Sequence, residues 1–300
     1  MTAHLSRRAL LGAAAILPLA AACGRSAPPA PPAAPRTDRA TAELADLEAR
    51  FVGRLGVYAL DTGNGATVGH RADELFPMCS TFKVLAASAI LRLRTQQPGL
   101  LDRVVHYTQA QMVDGSPISS THLADGMTVA AMCAAAIQYS DNSAANQLLD
   151  ILGGPRGVTA FVRTLGDPLT RLDRYETDLN IVPPGEVRDT STPEWMGKNL
   201  RALALGDALD PAGRDQLVEW MVGNTTGATR IRAGLPNGWR VGDKTGGGAR
   251  NEINDIAVCW PPNRAPLVIA VYTAPTDPNA KGDGKVLADA ASIVVRALTP

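Results

Sequence analysis

Ser80 and Lys83 are the first residues in this sequence whose types and spacing could do covalent chemistry. They lie three residues apart at the start of an apolar run that Pro98 and Gly99 end, so they share one face of a predicted helix. A serine hydroxyl becomes a good nucleophile when a neighbouring base takes its proton, and a desolvated lysine can be that base. The spacing is common, however, and by itself it is more typical of an exposed helix start with a solvated lysine.

Three further groups of polar residues follow along the chain. They are Ser140-Asp141-Asn142, Glu176-x-x-Leu179-Asn180 and Lys244-Thr245-Gly246. Taken singly, the first is typical of a turn or helix cap, the second of a solvated loop carboxylate and the third of a strand end. In this order, and each in a fitting local context, the four groups together indicate one site.

The elements that must position these residues are predicted from periodicity and turn residues. Apolar and alternating runs predict strands near both ends of the chain, over residues 55–60, 66–70, 239–245, 253–260 and 267–273. Helical patterns predict helices over 41–50 and 283–297, with several more between residues 80 and 222. We therefore predict an α+β fold, in which an antiparallel sheet flanked by N- and C-terminal helices is assembled from both ends of the chain.

The same patterns predict how the chain divides into domains. Residues 39–72 and 223–300 are expected to form the α/β domain, and residues 73–222 an inserted, all-helical domain with the active site between the two. The helical domain includes an irregular, polar loop over residues 174–189. A loop of this length in a compact domain is usually functional or disordered.

The amino-terminal segment reads as a targeting sequence rather than as part of the fold. Residues 1–22 carry Arg7 and Arg8 before a short apolar run, which is the pattern of a signal peptide for twin-arginine export. Cys23 is a candidate for lipid attachment, although simple cleavage nearby fits equally well, and residues 23–38 form a Pro/Ala-rich linker. We expect a periplasmic, envelope-bound or secreted protein that meets a membrane only through Cys23.

Composition excludes several classes of function. The 300 residues include 29 basic and 29 acidic side chains without a basic cluster, so nucleic acid is not an expected partner. Beyond Cys23, three cysteines remain, and their odd number favours buried free thiols over disulfides (Cys79, Cys133 and Cys259). The four histidines have no zinc-ligand spacing, so no metal is predicted, and no cofactor motif is present.

The four groups of polar residues resemble the motifs of the class A serine β-lactamases. The resemblance extends from about Thr41 to the closing helix. Arg174 and Asp189 bracket the irregular loop where this family has an ion pair closing its omega loop. Asn224-Thr225-Thr226-Gly227 with Arg230 is similar to the subgroup that has a substrate-binding arginine there. The resemblance implies a monomer that hydrolyses penicillins and cephalosporins and confers β-lactam resistance.

A role for each matching residue follows from the resemblance. Ser80 is expected to be acylated, with its own N–H and that of Gly247 as the oxyanion hole. Lys83, or Glu176 through a water, takes the serine proton. Ser140 is expected to relay a proton to the lactam nitrogen, and Asn142 to bind the substrate's side-chain amide. Glu176 and Asn180 are expected to position the hydrolytic water. The substrate carboxylate is expected to bind at Lys244, Thr245 and Arg230, and Gly246 and Gly247 are also expected to contact the substrate.

Two other functions fit part of the pattern. A D-alanyl-D-alanine carboxypeptidase, or another penicillin-binding protein, shares the serine, the lysine and the Lys-Thr-Gly element but lacks the deacylating glutamate. A non-catalytic envelope lipoprotein that senses β-lactams has no need of that glutamate. The presence of Glu176 and Asn180 therefore favours the β-lactamase.

Three glycines are expected to affect the substrate range. Gly115 stands where relatives often have an aromatic residue, Gly247 where some have a hydroxyl residue, and Gly248 where certain carbapenem-hydrolysing relatives have a cysteine bridged to the position of Cys79. The expected result is an open, less hydrogen-bonded pocket mouth and a preference for penicillins.

Overall fold

A computed structural model describes Met1, residues 35–277, Asn279 and residues 282–299. The predicted twin-arginine signal from residue 2 onward, Cys23 and the linker as far as residue 34 lie outside the described residues. Ala34–Pro300 forms one compact unit. Its first helix begins at Arg36, so residues 36–38, predicted as the end of the linker, are helical.

The described residues contain eight α-helices, nine strands and six 3₁₀ turns. The helices are α1 Arg36–Phe51, α2 Phe82–Leu93, α3 Val129–Gln138, α4 Asn142–Ile151, α5 Pro155–Arg163, α6 Pro193–Ala204, α7 Pro211–Val222 and α8 Gly284–Leu298. The strands are β1 Gly53–Asp61, β2 Thr67–His70, β3 Phe76–Pro77, β4 Val104–Val105, β5 Met127–Thr128, β6 Thr190–Ser191, β7 Arg240–Gly247, β8 Ile253–Trp260 and β9 Leu267–Pro275. The 3₁₀ turns are Cys79–Thr81, Leu100–Asp102, Gln109–Gln111, Ser119–Thr121, Asp178–Asn180 and Ile231–Gly234.

Five strands form one antiparallel sheet in the order β2-β1-β9-β8-β7. The longest pairing joins the two ends of the described chain, since β1 pairs with β9 from Gly53 opposite Pro275 to Asp61 opposite Leu267. The prediction of an α+β fold with a sheet assembled from both ends is confirmed. β7 forms an edge of this sheet, and its last residues belong to the Lys-Thr-Gly segment.

Hydrophobic residues bury both faces of the sheet. Strand β8 shows this directly, because Ile256 and Val258 belong to the core beneath the inserted helices, whereas Ala257 and Cys259 belong to the core beneath α1 and α8. Side chains alternate between the faces of a strand, so a strand that is covered on both sides reads as a continuous apolar run.

The start of α4 explains why the middle residue of Ser-Asp-Asn is an aspartate. Asp141 Oδ1 accepts a hydrogen bond from the N–H of Ala144 at 2.9 Å, which caps the helix. Its Oδ2 accepts from the N–H groups of Ile118 and Ser119 at 2.9 and 2.8 Å. Asp141 is fully buried, so this carboxylate fixes the position of its neighbours Ser140 and Asn142.

Ser80 lies just before a helix rather than within its first α-turn. The 3₁₀ turn Cys79–Thr81 leads into α2, which begins at Phe82. Cys79 has a φ of 46°, a conformation that regular helix does not allow, so the α-helix starts later than the sequence pattern predicts. No helix in the described part of the chain has the length and apolar character needed to cross a bilayer.

Candidate active site

The turn that carries Ser80 is held in place by two strands of the main sheet. From β8, Asn254 Nδ2 donates to the carbonyl of Pro77 at 2.9 Å. From β9, the Tyr272 hydroxyl shares a 2.9 Å hydrogen bond with Thr81 Oγ1. Ser80 is therefore almost buried, and its position is set by residues far away in the sequence.

One oxygen of Glu176 is shared by the nucleophile and the lysine. Ser80 Oγ donates to Glu176 Oε1 at 3.3 Å, and Lys83 Nζ lies 3.0 Å from the same oxygen. The second carboxylate oxygen, Oε2, accepts from Asn180 Nδ2 at 2.6 Å. The geometry joins both residues of the Glu-x-x-Leu-Asn motif to the Ser-x-x-Lys motif.

Lys83 is fully buried and has three hydrogen-bond acceptors. Its Nζ lies 3.0 Å from Glu176 Oε1 and donates to the Ser140 carbonyl at 2.8 Å and to Asn142 Oδ1 at 2.6 Å. Burial lowers the pKa of Lys83 below its ordinary value, while the Glu176 carboxylate acts in the opposite direction. Three acceptors around one nitrogen are what a charged ammonium group, with its three N–H donors, requires.

Lys244 lies on the other side of Ser140. Its Nζ donates to Ser140 Oγ at 3.1 Å and to the Thr245 carbonyl at 2.8 Å. Burial, followed by the positive charges of Lys83 and Arg230, holds the pKa of Lys244 well below that of an exposed lysine. Ser140 therefore stands between two buried lysines.

Arg230 and Thr245 complete this cationic region. Arg230 Nη1 donates to the carbonyls of Gly246 and Asn254, each at 2.6 Å, and burial lowers the pKa of its guanidinium. The Thr245 hydroxyl shares a 2.6 Å hydrogen bond with that of Thr226. Lys83 and Arg230 are near enough to Lys244 to lower its pKa, so the positive charges of this region could balance that of an anionic ligand.

The end of β7 passes close to the turn that carries Ser80. Gly248 donates its N–H to the Glu252 carbonyl at 3.0 Å. Along an antiparallel edge strand the N–H groups alternate in direction, so that of Gly247 points away from β8. At Gly246 an added Cβ would lie 3.0 Å from the Met78 carbonyl, which shows how closely the strand approaches the turn.

The irregular loop over residues 174–189 is held by hydrogen bonds at both ends and at Glu176. Arg174 Nε lies 2.6 Å from Asp189 Oδ2, so the ion pair expected from the family resemblance is confirmed. Asn146 on α4 holds the Glu176 backbone in both directions: its Oδ1 accepts from the N–H and its Nδ2 donates to the carbonyl, each at 2.9 Å.

Comparison with known proteins finds β-lactamases that are similar to this chain in sequence and fold. A profile of the "Beta-lactamase enzyme family" matches residues 39–298. β-Lactamase AST-1 of Nocardia asteroides is 52% identical over 297 residues, which cover 97% of this chain and 96% of that protein. β-Lactamase FAR-1 of Nocardia farcinica is 53% identical over 301 residues, covering 98% and 96%. A solved class A β-lactamase from Mycobacterium abscessus has a TM-score of 0.85 and 54% identity, covering 87% of this chain and 100% of that one.

The chain belongs to the class A β-lactamase family. This β-lactamase brings together the residues that its sequence motifs single out. Ser80, Lys83, Ser140 and Glu176 are joined by the contacts above. Asn142 lies within the same network, because its Oδ1 accepts from Lys83 and its Nδ2 donates to the Asp114 carbonyl at 2.7 Å.

Sequence reasoning missed two asparagines that position the site of the β-lactamase. Asn146 holds Glu176, and Asn254 holds the turn before Ser80. A signal existed for Asn146, because it follows Asn142 by four residues and so shares its face of α4. No sequence signal identifies Asn254, since its partners lie at the other end of the chain.

The three cysteines among the described residues are buried free thiols, as predicted: Cys79, Cys133 and Cys259. Burial raises the pKa of Cys79 well above its ordinary value, and the nearby carboxylates of Glu252 and Glu176 add to the effect. The described residues contain no group of three or more His, Cys, Asp or Glu side chains arranged to hold a metal ion.

Proposed function

We propose that this β-lactamase hydrolyses the lactam amide of penicillins and cephalosporins through an acyl-enzyme on Ser80. The observation that carries the proposal is the pairing of Glu176 with Asn180 beside the nucleophile. Asn180 Oδ1 is buried and has no hydrogen-bond partner among the described residues, while Asn180 Nδ2 is held by Glu176. An amide oxygen and a carboxylate oriented in this way can hold and activate a water for deacylation.

Acylation begins with attack of Ser80 Oγ on the lactam carbonyl carbon. In the resting geometry Glu176 Oε1 is within reach of the serine proton, whereas the Lys83 donors are all engaged, which favours Glu176 as the base. Lys83 becomes the alternative base if it first passes a proton to Glu176. The N–H groups of Ser80 and Gly247 stabilise the oxyanion, and losing one such donor typically costs ~10²–10³-fold in kcat.

Ring opening transfers a proton to the departing nitrogen. Ser140 is proposed to supply it, because a hydroxyl can donate to one partner while it accepts from another. Lys244 Nζ already donates to Ser140 Oγ and can keep the hydroxyl aligned with the lactam nitrogen. Ser140 is then reprotonated at the expense of the proton that Glu176 or Lys83 took from Ser80, so the proton removed from Ser80 and the proton added to the nitrogen balance over the acylation half-reaction.

Substrate binding uses the cations around β7. The carboxylate that penicillins and cephalosporins carry is proposed to lie between Lys244, Thr245 and Arg230, beside Gly246. Asn142 is proposed to bind the amide of the substrate's side chain. It would use the hydrogen-bonding capacity of its own side-chain amide that remains beyond the contacts with the Asp114 carbonyl and Lys83. Gly115, Gly247 and Gly248 lack side chains near this mouth, which supports a preference for penicillins over oxyimino-cephalosporins.

We further propose export by the twin-arginine route to the periplasm, the envelope or the medium, with Cys23 as the lipid-attachment site, and a monomeric enzyme. The two domains remain a proposal too: residues 39–72 with 223–300, and residues 73–222. The first domain is supported by the hydrophobic core beneath α1 and α8, whose buried members all lie within residues 39–72 and 223–300.

The first experiment distinguishes hydrolysis from stoichiometric binding. Residues 36–300 are mixed with a large excess of a penicillin, and consumption is followed together with intact-protein mass at early times. Complete consumption with a transient adduct is expected. One equivalent consumed with a long-lived adduct would instead indicate a D-alanyl-D-alanine carboxypeptidase of the penicillin-binding class or a non-catalytic sensor.

A further inference from the structure

The buried carboxylate of Glu252 lies beneath the end of β7, close to the turn that carries Ser80. It lies in the turn between β7 and β8 and is 3% exposed. Its Oε2 accepts from the N–H of Arg250 at 2.9 Å, and its backbone carbonyl accepts from the N–H of Gly248. Side chain and backbone of Glu252 are thus both bound within this turn.

The Glu252 side chain occupies the space that a side chain on residue 248 would need. A Cβ built on Gly248 would lie 2.2 Å from Glu252 Oε2 and 3.1 Å from Cys79 Sγ. Gly248 does not have the positive φ that only glycine tolerates well, so its backbone would accept another residue. A side chain at residue 248 would therefore require Glu252 to move, and the burial of Glu252 and its hydrogen bond from the Arg250 N–H oppose that movement.

Gly246 and Gly247 differ from Gly248 in what an added Cβ would contact. A Cβ on Gly247 would have no contact closer than 3.9 Å. A Cβ on Gly246 would meet the Met78 carbonyl at 3.0 Å, and a backbone group cannot be removed by substitution. Of the three positions, residue 248 is the one where another side chain causes the exclusion, so the exclusion can be tested genetically.

The surroundings connect Glu252 to both steps of the reaction. Residue 248 follows Gly247, whose N–H is proposed to stabilise the oxyanion. The next residue, Ala249, donates its N–H to the Asn180 carbonyl at 3.1 Å, which joins this turn to the loop carrying Glu176. On its far side Glu252 lines a cavity of about 590 Å³ together with Pro77, Val182 and Pro183.

We propose that Glu252 is a positioning and specificity-determining residue of this β-lactamase. Its side chain fills the space beneath Gly248, holds Gly247 and Gly248 at their distance from Cys79 and Ser80, and thereby restricts residue 248 to glycine. It also separates the cavity from the Cys79 thiol. The proposal rests on the proposed part of Gly247 in the oxyanion hole.

Substitutions at the two positions should be strongly non-additive. Gly248→Ala is expected to lower kcat/KM for a penicillin by about a hundredfold or more, comparable to the ~10²–10³-fold cost of losing one oxyanion donor. Adding Glu252→Ala should restore at least tenfold, because the space becomes free. Adding Glu252→Gln should restore nothing, because glutamine fills the same volume without the charge. Glu252→Ala alone should lower kcat by about tenfold with little change in KM, less than the ~10²–10³-fold cost of losing an oxyanion donor.

Reactivity of Cys79 gives a second readout that does not need the Gly248 variants to fold. Iodoacetamide should add rapidly to Cys79 in Glu252→Ala, detected by intact mass and located by peptide mass, but not in Glu252→Gln or the parent. Both variants lose the Glu252 charge, which adds to the effect of burial on the pKa of Cys79, so the difference between the variants reports on an opened path. The buried thiols of Cys133 and Cys259 serve as internal controls.

Several outcomes would overturn the proposal. Equal Gly248→Ala defects in all three backgrounds would show that Glu252 does not exclude the side chain, and relief by alanine and glutamine alike would implicate charge rather than volume. Unchanged Cys79 reactivity in Glu252→Ala would contradict the separating role. Turnover by the parent protein is measured in parallel, so failure of the proposed hydrolysis would appear there and not only in the variants.

Discussion

Ser80 and Lys83 both contact Glu176 Oε1. The two candidate bases, Glu176 and Lys83, therefore affect each other. While Glu176 is charged, it stabilises the Lys83 ammonium group and leaves itself as the acceptor for the serine proton. Without Glu176, Lys83 loses its counter-charge, and its burial then favours the neutral amine. The two accounts of acylation therefore describe two protonation states of one hydrogen-bonded pair.

Glu176→Ala is expected to acylate and then stall. Lys83 becomes a usable base for the first step, but nothing activates the deacylating water, and general-base catalysis contributes ~10²–10⁴-fold. Intact mass should show a persistent gain equal to the mass of the penicillin. Asp178 is an exposed carboxylate two residues further on, so the Asp178→Ala variant is the matched control and should hydrolyse the penicillin normally. Rapid turnover by Glu176→Ala would contradict the assignment.

The lowered pKa of Lys244 predicts where kcat/KM falls on the alkaline side of its pH profile. Its pKa is well below that of an exposed lysine, so in the free enzyme it loses its proton at a lower pH, and the neutral amine no longer pairs with the substrate carboxylate. Values of kcat/KM for a penicillin should therefore fall on the alkaline side before ordinary lysines titrate. In Lys244→Arg this limb should move to higher pH, because arginine stays charged. An unchanged limb would assign it to another group.

At this scale the sequence predicted the reacting groups but not all the residues that hold them. Ser80, Lys83, Ser140 and Glu176 stand in motifs whose order carries information. Asn254 and Glu252 stand in none, because Asn254 acts through a hydrogen bond to Pro77, 177 positions away, and Glu252 through the space that it fills beside Gly248. Such contacts depend on strand register and turn shape, which local sequence does not specify.

The loop that carries Glu176 is attached to elements on both sides of the site. Met78 donates its N–H to the Asp189 carbonyl at 2.9 Å, β3 pairs with β6, and Asn146 holds the middle of the loop. Periodicity predicted only that residues 174–189 are irregular. The ion pair was predicted from family resemblance, whereas the hold by Asn146 was not predicted.

Arg174→Ala should loosen this loop more than a comparable change nearby. Asp189 is fully buried and would keep its two backbone N–H donors but lose its cation, at a cost of about 1–3 kcal/mol in free energy of unfolding. Urea unfolding and limited proteolysis within residues 174–189 would measure it. Arg171→Ala breaks a more exposed pair with Asp173 and should cost less than about 1 kcal/mol. Equal losses would show that the buried pair does not secure the loop.

At the scale of the whole molecule, the sheet separates a core that supports the site from one that supports only stability. The α+β class and most strands were predictable, because most of β9 and the second half of β8 are continuous apolar runs. The pairing of β1 with β9 was expected only in outline, since register is set by packing across the sheet.

Leu44→Ala tests this separation. Leu44 is fully buried between α1 and the sheet, on the face away from Ser80, so the free energy of unfolding should fall by about 2–5 kcal/mol. At a temperature where the variant is folded, kcat/KM should stay within about twofold of the parent. The exposed Leu169 is the matched control, and Leu169→Ala should change the free energy of unfolding by less than about 0.5 kcal/mol. A large loss of kcat/KM in folded Leu44→Ala would mean that the two cores are coupled.

The pairing of β1 with β9 also constrains the order of events at the ribosome. Strand β1 leaves the exit tunnel with β2 as its only possible neighbour, and all seven helices from α1 to α7 are made before β9 arrives. The turn that carries Ser80 likewise cannot be held in place until Asn254 and Tyr272 have been synthesised. A nascent chain that stops short of β9 therefore exposes an unpaired strand and an apolar sheet face, so premature termination should yield aggregation or degradation rather than a partly active enzyme.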